Sequence, residues 1–189
     1  MLLGSVTAIV FAVAPSASAA APGASAAPAT QQAVRTISYD SSRAAELAPL
    51  VDQAAQVWNS GVTNVRLVKG TGGVTVSTAQ NGSAPGVASC VGCTRGSITL
   101  YRNQIKSSGA GTLRVIVHEF GHILSLNHPQ DIGNCDKVMA GGRCDNPQPN
   151  AAERAAVDRF WQGRLSIAVE PGGRPDERGV FNVPALAGR

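Results

Sequence analysis

The chain has three histidines, His118, His122 and His128, and all of them fall in one short stretch. His118 and His122 stand four apart in the apolar run Leu113-Arg114-Val115-Ile116-Val117-His118-Glu119-Phe120-Gly121-His122-Ile123-Leu124. On a helix, positions i and i+4 stack on one face, so the two imidazoles come within reach of a single metal ion. Glu119 sits beside them, too far round to be the obvious third ligand but placed to touch a water held by that ion. This is the H-E-x-x-H arrangement. Zinc suits it, because imidazole nitrogens are good ligands and an open fourth position can hold water. The chemistry such a set can do is metal-assisted amide hydrolysis, with Glu119 as the proton acceptor. The competing reading is a pair of hydrogen-bonded core histidines on a buried helix.

A third ligand is expected from His128. Ser125 and Asn127 are the residues available for a sharp turn out of the helix, and Asn tolerates the left-handed region better than most. Pro129 then pushes His128 towards extended backbone. The metal set read from the chain is therefore His118, His122 and His128, with Glu119 catalytic. Two alternatives stay open: His128 as an exposed loop histidine, and Asp131 as an oxygen ligand in its place.

The elements that must position these groups can be read along the chain. Thr36-Ile37-Ser38-Tyr39 is expected as a strand. Ser41 or Ser42 caps the helix that follows, with Glu46 in its first turn. Leu47, Leu50, Val51, Ala54, Val57 and Trp58 form that helix's apolar stripe, and Gly61 stops it. Val65 to Val68 and Val74 to Ser77 read as strands. Residues 80–96 read as a Gly/Ser/Asn/Pro-rich loop. Ser97 to Tyr101 alternates polar and apolar, so it reads as a half-buried strand, and Ile98 to Tyr101 is the candidate edge strand for an extended peptide. The pattern predicts the histidine helix over 112–126. Asn150 with Glu153 starts a last helix in capping-box fashion, and Ala155, Ala156, Phe160 and Trp161 give it a buried side.

Residues 1–19 read as a signal peptide. The first 34 residues carry no charge, Leu2 to Ala14 is an apolar run too short to span a bilayer, and Ala17-Ser18-Ala19 supplies the small residues before a cut. Residues 20–34 cannot bury a core and read as a linker or short pro-segment. Order is expected over 35–163, and 164–189 reads as a weakly ordered tail. The net charge is +4, but Lys and Arg are scattered singly, so no basic patch supports a nucleic-acid or membrane partner. Four cysteines suit an exported, extracellular chain, pairing Cys90 with Cys93 and Cys135 with Cys144. A four-thiolate zinc site is the alternative, although the second pair is wider than the usual knuckle.

His118-Glu119-x-x-His122-x-x-Ser125-x-x-His128 resembles the metzincin signature H-E-x-x-H-x-x-G-x-x-H, with Ser in the glycine place. Val138-Met139-Ala140-Gly141-Gly142 resembles the methionine turn of that clan. The chain is similar to the snapalysin family, the small extracellular neutral proteases of Streptomyces. The likeness includes Cys135, Met139, Gly141 and Gly142 and the Pro149 to Glu153 helix start, and it runs from about Thr36 to Trp161. It implies an α+β metzincin-like fold: a twisted, mostly parallel mixed sheet packed on two long helices, with a C-terminal helix after the methionine turn. It also implies a secreted zinc metalloendopeptidase acting on protein or peptide substrates, with an aromatic preference after the cut; separately, the chain is expected to be a monomer. Three departures stand out. The family has Asp where this chain has His128, and commonly Tyr where this chain has Gln130. The residues of the family's calcium site align with Gly111 and Leu113, so calcium is not carried over. Two rival functions follow: an exopeptidase, for which no terminus-holding group is found, and a secreted zinc-binding domain with little or no activity.

Overall fold

The computed structural model describes residues 33–162 and 172–186. The expected signal peptide, most of the expected linker, and residues 163–171 and 187–189 of the expected tail lie outside them.

Five strands form one mixed sheet. In chain order they are β1 Arg35–Arg43, β2 Val65–Lys69, β3 Val74–Ala79, β4 Gly86–Ala88 and β5 Gly96–Tyr101. Their spatial order is β2-β1-β3-β5-β4. Every neighbouring pair is parallel except β4 with β5. Strand periodicity sets the faces: Ile37, Tyr39 and Ser41 of β1, Val74 and Val76 of β3, and Ile98 and Leu100 of β5 turn inward.

Helices α1 Ala48–Asn59 and α3 Thr112–Ile123 pack together beside the sheet, and α4 Ala151–Trp161 is only one residue shorter than either. Val51, Ala54, Ala55 and Trp58 are the buried face of α1. Trp58 fixes its contact with α3 by donating its indole N–H to the Val117 carbonyl at 2.8 Å. Helix α4 Ala151–Trp161 carries the expected capping box, with Glu153 N–H on Asn150 Oδ1 at 2.9 Å and Asn150 N–H on Glu153 Oε2 at 2.8 Å. Both cysteine pairs are disulfides, Cys90–Cys93 and Cys135–Cys144.

Several expectations need correction. Ser41 and Ser42 cap nothing, because β1 runs on through them. Ser41 is buried and donates to Asp52 of α1. The chain enters α1 through a 3-10 turn, Ala45–Leu47, with Pro49 supplying a helical φ in the first turn. Residues 98–101 are not an edge strand, since β5 lies between β3 and β4. The edge on this side of the sheet is β4, three residues inside the segment read as loop, too short for periodicity to show. Helix α2 Arg102–Ser108 was also unmarked, because Ile105 is its only large apolar residue. On α4, Val157 is buried where Ala155 was expected; Ala155 is exposed.

Candidate metal centre

Helix α3 is buried from Arg114 to Ile123. A helix apolar on nearly all sides must lie inside the protein, and any polar group on it needs a partner or a use. Its C-terminus shapes the site. Ser125 N–H donates to the His122 carbonyl at 2.9 Å and Leu126 N–H to the Gly121 carbonyl at 2.8 Å. That pair of bonds is a Schellman turn, with Ser125 at the position glycine usually holds and φ at +107°. The expectation that Asn127 would share the turn's strain does not hold, because Ser125 alone takes positive φ there. The amides of Gly92 and Cys93 bond the carbonyls of His122 and Ile123. Trp161 Nε1–H bonds that of Leu124 at 3.0 Å. The Cys90–Cys93 loop thus caps the site helix, giving the Ile123 carbonyl a partner and the His122 carbonyl a further one.

The Schellman turn also aims a ligand. It brings the Leu126 carbonyl to 2.7 Å from His122 Nδ1, while the Val138 carbonyl lies 2.9 Å from His118 Nδ1. A carbonyl only accepts, so in both rings Nδ1 carries a proton, and in the neutral ring Nε2 is left with a bare lone pair. Two residues past the turn, His128 completes the set. The three Nε2 atoms lie 3.1 to 3.2 Å from one another. Ligands bound at about 2.0–2.1 Å around one tetrahedral ion lie about 3.3 Å apart, so the nitrogens match a zinc-sized cation. Lone pairs converging in a buried space repel unless a cation sits among them. Burial lowers the His118 pKa to about 4, against the raising effect of Glu177, which keeps that ring neutral as a ligand must be.

Glu119 is fully buried, and neither carboxylate oxygen makes a hydrogen bond of ordinary geometry. Burial and then the charge of Glu177 push its carboxyl pKa well up, opposed by the nearby Ala88 amide. It lies against β4, where Gly86 makes room for it. Asp131 is not brought to the cluster; it pairs with Lys137 at 2.8 Å and accepts from Asn134. Gln130 is exposed.

Beneath the histidines lies the turn Val138–Ala140, with Met139 so close to α3 that a Cβ on Gly121 would overlap its sulfur. Two residues that the sequence did not single out for this task hold the turn. Glu153 accepts from Val138 N–H at 3.1 Å and Met139 N–H at 2.9 Å. Arg114, fully buried, donates to the carbonyls of Asn146, Lys137 and Gly141. The signal for Arg114 was there: a guanidinium in the apolar face of a helix must find acceptors.

A fourth donor comes from the segment read as a weakly ordered tail. Residues 172–186 pack on the domain, and Glu177, Val180 and Phe181 are buried. Glu177 Oε1 lies 2.7 Å from His122 Nε2, and Oε2 lies 3.3 Å from His118 Nε2 and 3.2 Å from His128 Nε2. The four donor atoms lie within 4.8 Å of one another. With the protons of His118 and His122 committed to carbonyls, their contacts to Glu177 set lone pair against lone pair. In the neutral state of both rings these are the spacings of ligands around one cation. Residues 172–186 show no periodicity, and the adjacent apolar pair Val180-Phe181 was the local hint that they pack.

The convergence suits a bound cation, and the helix, the returning third histidine and the turn at Met139 give the protein a metzincin-like fold around it. Residues 33–163 match the Streptomyces extracellular neutral proteinase (M7) family, and the chain belongs to that family. The extracellular small neutral protease of Streptomyces sp. strain C5 is 37% identical over 142 residues, covering 71% of this chain and 60% of that protein. That of Streptomyces caespitosus is 38% identical over 131 residues, covering 67% of this chain and 96% of that protein. The chain thus spans about 60% of the length of the first of these relatives. Among solved structures, an archaemetzincin from Methanopyrus kandleri is 13% identical with a TM-score of 0.45, covering 71% of this chain and 98% of that one, a slight likeness.

Proposed function

We propose that the protein is a secreted zinc metalloendopeptidase that cuts internal peptide bonds of proteins. The observation that carries this is the convergence of three Nε2 atoms, of His118, His122 and His128, beside the buried carboxylate of Glu119. These histidines hold the metal, and Zn²⁺ fits their donor type and spacing. When bound, it supplies Lewis acidity towards the scissile carbonyl and towards water. Glu119 takes the proton of the attacking water on its carboxylate and delivers it to the leaving amine. The carbonyls of Leu126 and Val138 keep His122 and His118 in the ligating tautomer.

Strand β4 orients the substrate. Tyr101 N–H bonds the Pro85 carbonyl and Ser89 N–H bonds the Ser97 carbonyl, so the backbone at 85, 87 and 89 faces β5. By strand alternation, Gly86 and Ala88 offer their N–H and C=O to the outer edge, where an extended peptide can pair. Relatives named extracellular proteases support export, with 1–19 as the leader and 20–34 as linker.

A protein-degradation assay with and without chelator tests the proposal. Internal cuts abolished by chelator and restored by Zn²⁺ are expected. Terminal trimming alone would make the enzyme an exopeptidase. The second reading, a zinc-binding domain with little activity, draws on Gln130, which is exposed where the family commonly has Tyr. Bound zinc with no cutting under any condition would decide for it.

A further inference from the structure

We propose that residues 172–186 are a built-in blocking segment, lying in the cleft as a substrate would and lodging Glu177 as the fourth ligand of the metal. The inference rests on the metallopeptidase reading above. It begins with direction. Gly172 and Val91 form an antiparallel bridge, Gly172 N–H on the Val91 carbonyl at 2.7 Å. Val91 lies three residues beyond β4 on the same run of chain, so the segment leaves the bridge heading back along the open edge. The bridge is isolated, but counting on from it in the same antiparallel sense sets Glu177 against Gly86, the residue against which Glu119 rests. The surroundings agree: 174–178 line a hollow with Ser83 and Val87, on the β4 side of the sheet. An extended peptide antiparallel to the edge strand is what this edge is built to receive.

The second observation is chemical. Glu177 is 3% exposed, in a segment otherwise rich in exposed Gly, Pro and charge. Burying a carboxylate is costly unless a cation or donors meet it. Its oxygens find three imidazole nitrogens at 2.7 to 3.3 Å, the spacing of a fourth ligand in a tetrahedral set. A catalytic zinc site leaves that place to water or substrate, whereas four protein ligands close it.

The third observation is that the segment is anchored on both sides of Glu177. After it, Phe181 packs its ring 4.8 Å from that of His118 and is 1% exposed. Gly142 N–H bonds the Val180 carbonyl at 2.9 Å, Arg143 N–H the Val183 carbonyl at 3.1 Å, and Leu186 N–H the Gly133 carbonyl at 2.8 Å. The loop around the methionine turn thus grips the segment that covers the metal site. The segment also lies beyond residues 33–163, the part of the chain matched by the family. Release, by cleavage or displacement, frees both the edge strand and the fourth coordination place.

The test uses the full chain, Glu177→Ala and the near-isosteric Glu177→Gln, each loaded with Co²⁺ as a spectroscopic stand-in for zinc. Acetohydroxamate, a small bidentate metal ligand, is titrated against the visible Co²⁺ bands. The parent should resist it, while either variant binds it at least tenfold more tightly and loses metal to dipicolinate at least tenfold faster. Cleavage of an internally quenched peptide should rise at least tenfold in the variants. Equal hydroxamate binding by parent and variants would overturn the proposal, whatever the activity. A hydroxamate difference with no cleavage by any form would support Glu177 as a ligand and instead remove the peptidase reading. Glu177→Gln preserves the fold test if Glu177→Ala does not fold.

Discussion

A Cβ placed on Gly86 would lie 2.5 Å from Oε1 of Glu119. The strand proposed to receive substrate and the helix that carries the proposed proton acceptor therefore meet with no side chain between them. Gly86→Ala should push the Glu119 carboxylate out of place while leaving the three histidines alone. We expect kcat to fall at least tenfold with stoichiometric zinc retained, measured in the parent and in the Glu177→Gln background. Unchanged kcat would mean that the placement of Glu119 tolerates more freedom than this contact allows.

Glu119→Gln keeps the side chain's shape and removes its basicity. Loss of a positioned general base lowers turnover by about 10²–10⁴-fold. Zinc content should not change, because Glu119 is not among the four converging donors. Turnover retained at full zinc occupancy would exclude Glu119 as the base.

The third ligand can be told apart from its sequence neighbour. His128 faces the cluster, and Asp131 is engaged by Lys137 and Asn134. Supporting contacts to metal ligands are commonly worth 10–100-fold in affinity, so His128→Ala should weaken zinc binding by more than about 100-fold. Asp131→Ala should leave it within about twofold, by competition with a chromogenic chelator. The reverse pattern would make this a His-His-Asp site.

Ser125 holds φ of +107°, a region L-residues enter only under strain. Ser125→Gly relieves that strain at the turn joining His122 to His128, partly offset by glycine's greater freedom in the unfolded chain. A net gain of about 1 kcal/mol is expected, or about 2–4 °C in the midpoint of thermal unfolding. A fall in the midpoint would mean that the serine side chain offsets its backbone strain.

The histidine helix, the third histidine and the disulfide pairs were legible because each is local. Their information is residue type at a short spacing. The mostly parallel sheet and the methionine turn came from resemblance. What could not be read was long-range. Three-residue β4 is too short to show period two, and its role depends on which strand β5 has on its other side. Glu177 is one carboxylate in an aperiodic tail, and only the fold brings it to histidines about fifty residues earlier. Glu153 was read correctly as a helix start, but its second task, holding the Val138 and Met139 amides, has no trace in local spacing.

That second task makes Glu153 the clearest test of how the scaffold supports the site. Its carboxylate accepts from three backbone N–H groups, Asn150, Val138 and Met139. The Val138 carbonyl in turn accepts from His118 Nδ1–H. Glu153→Ala leaves those amides to whatever water can reach them, and each unmet buried donor costs about 1–3 kcal/mol, so a loss of about 3 kcal/mol in unfolding free energy is expected. Because the turn also orients His118, zinc release to a chelator should quicken in parallel. Asn150→Ala is the control: it removes only the cap to Glu153 N–H, about 1 kcal/mol, and should leave zinc release unchanged. If both variants lose stability but neither releases zinc faster, Glu153 serves the helix alone, and the orientation of His118 is set by the α3 packing around it.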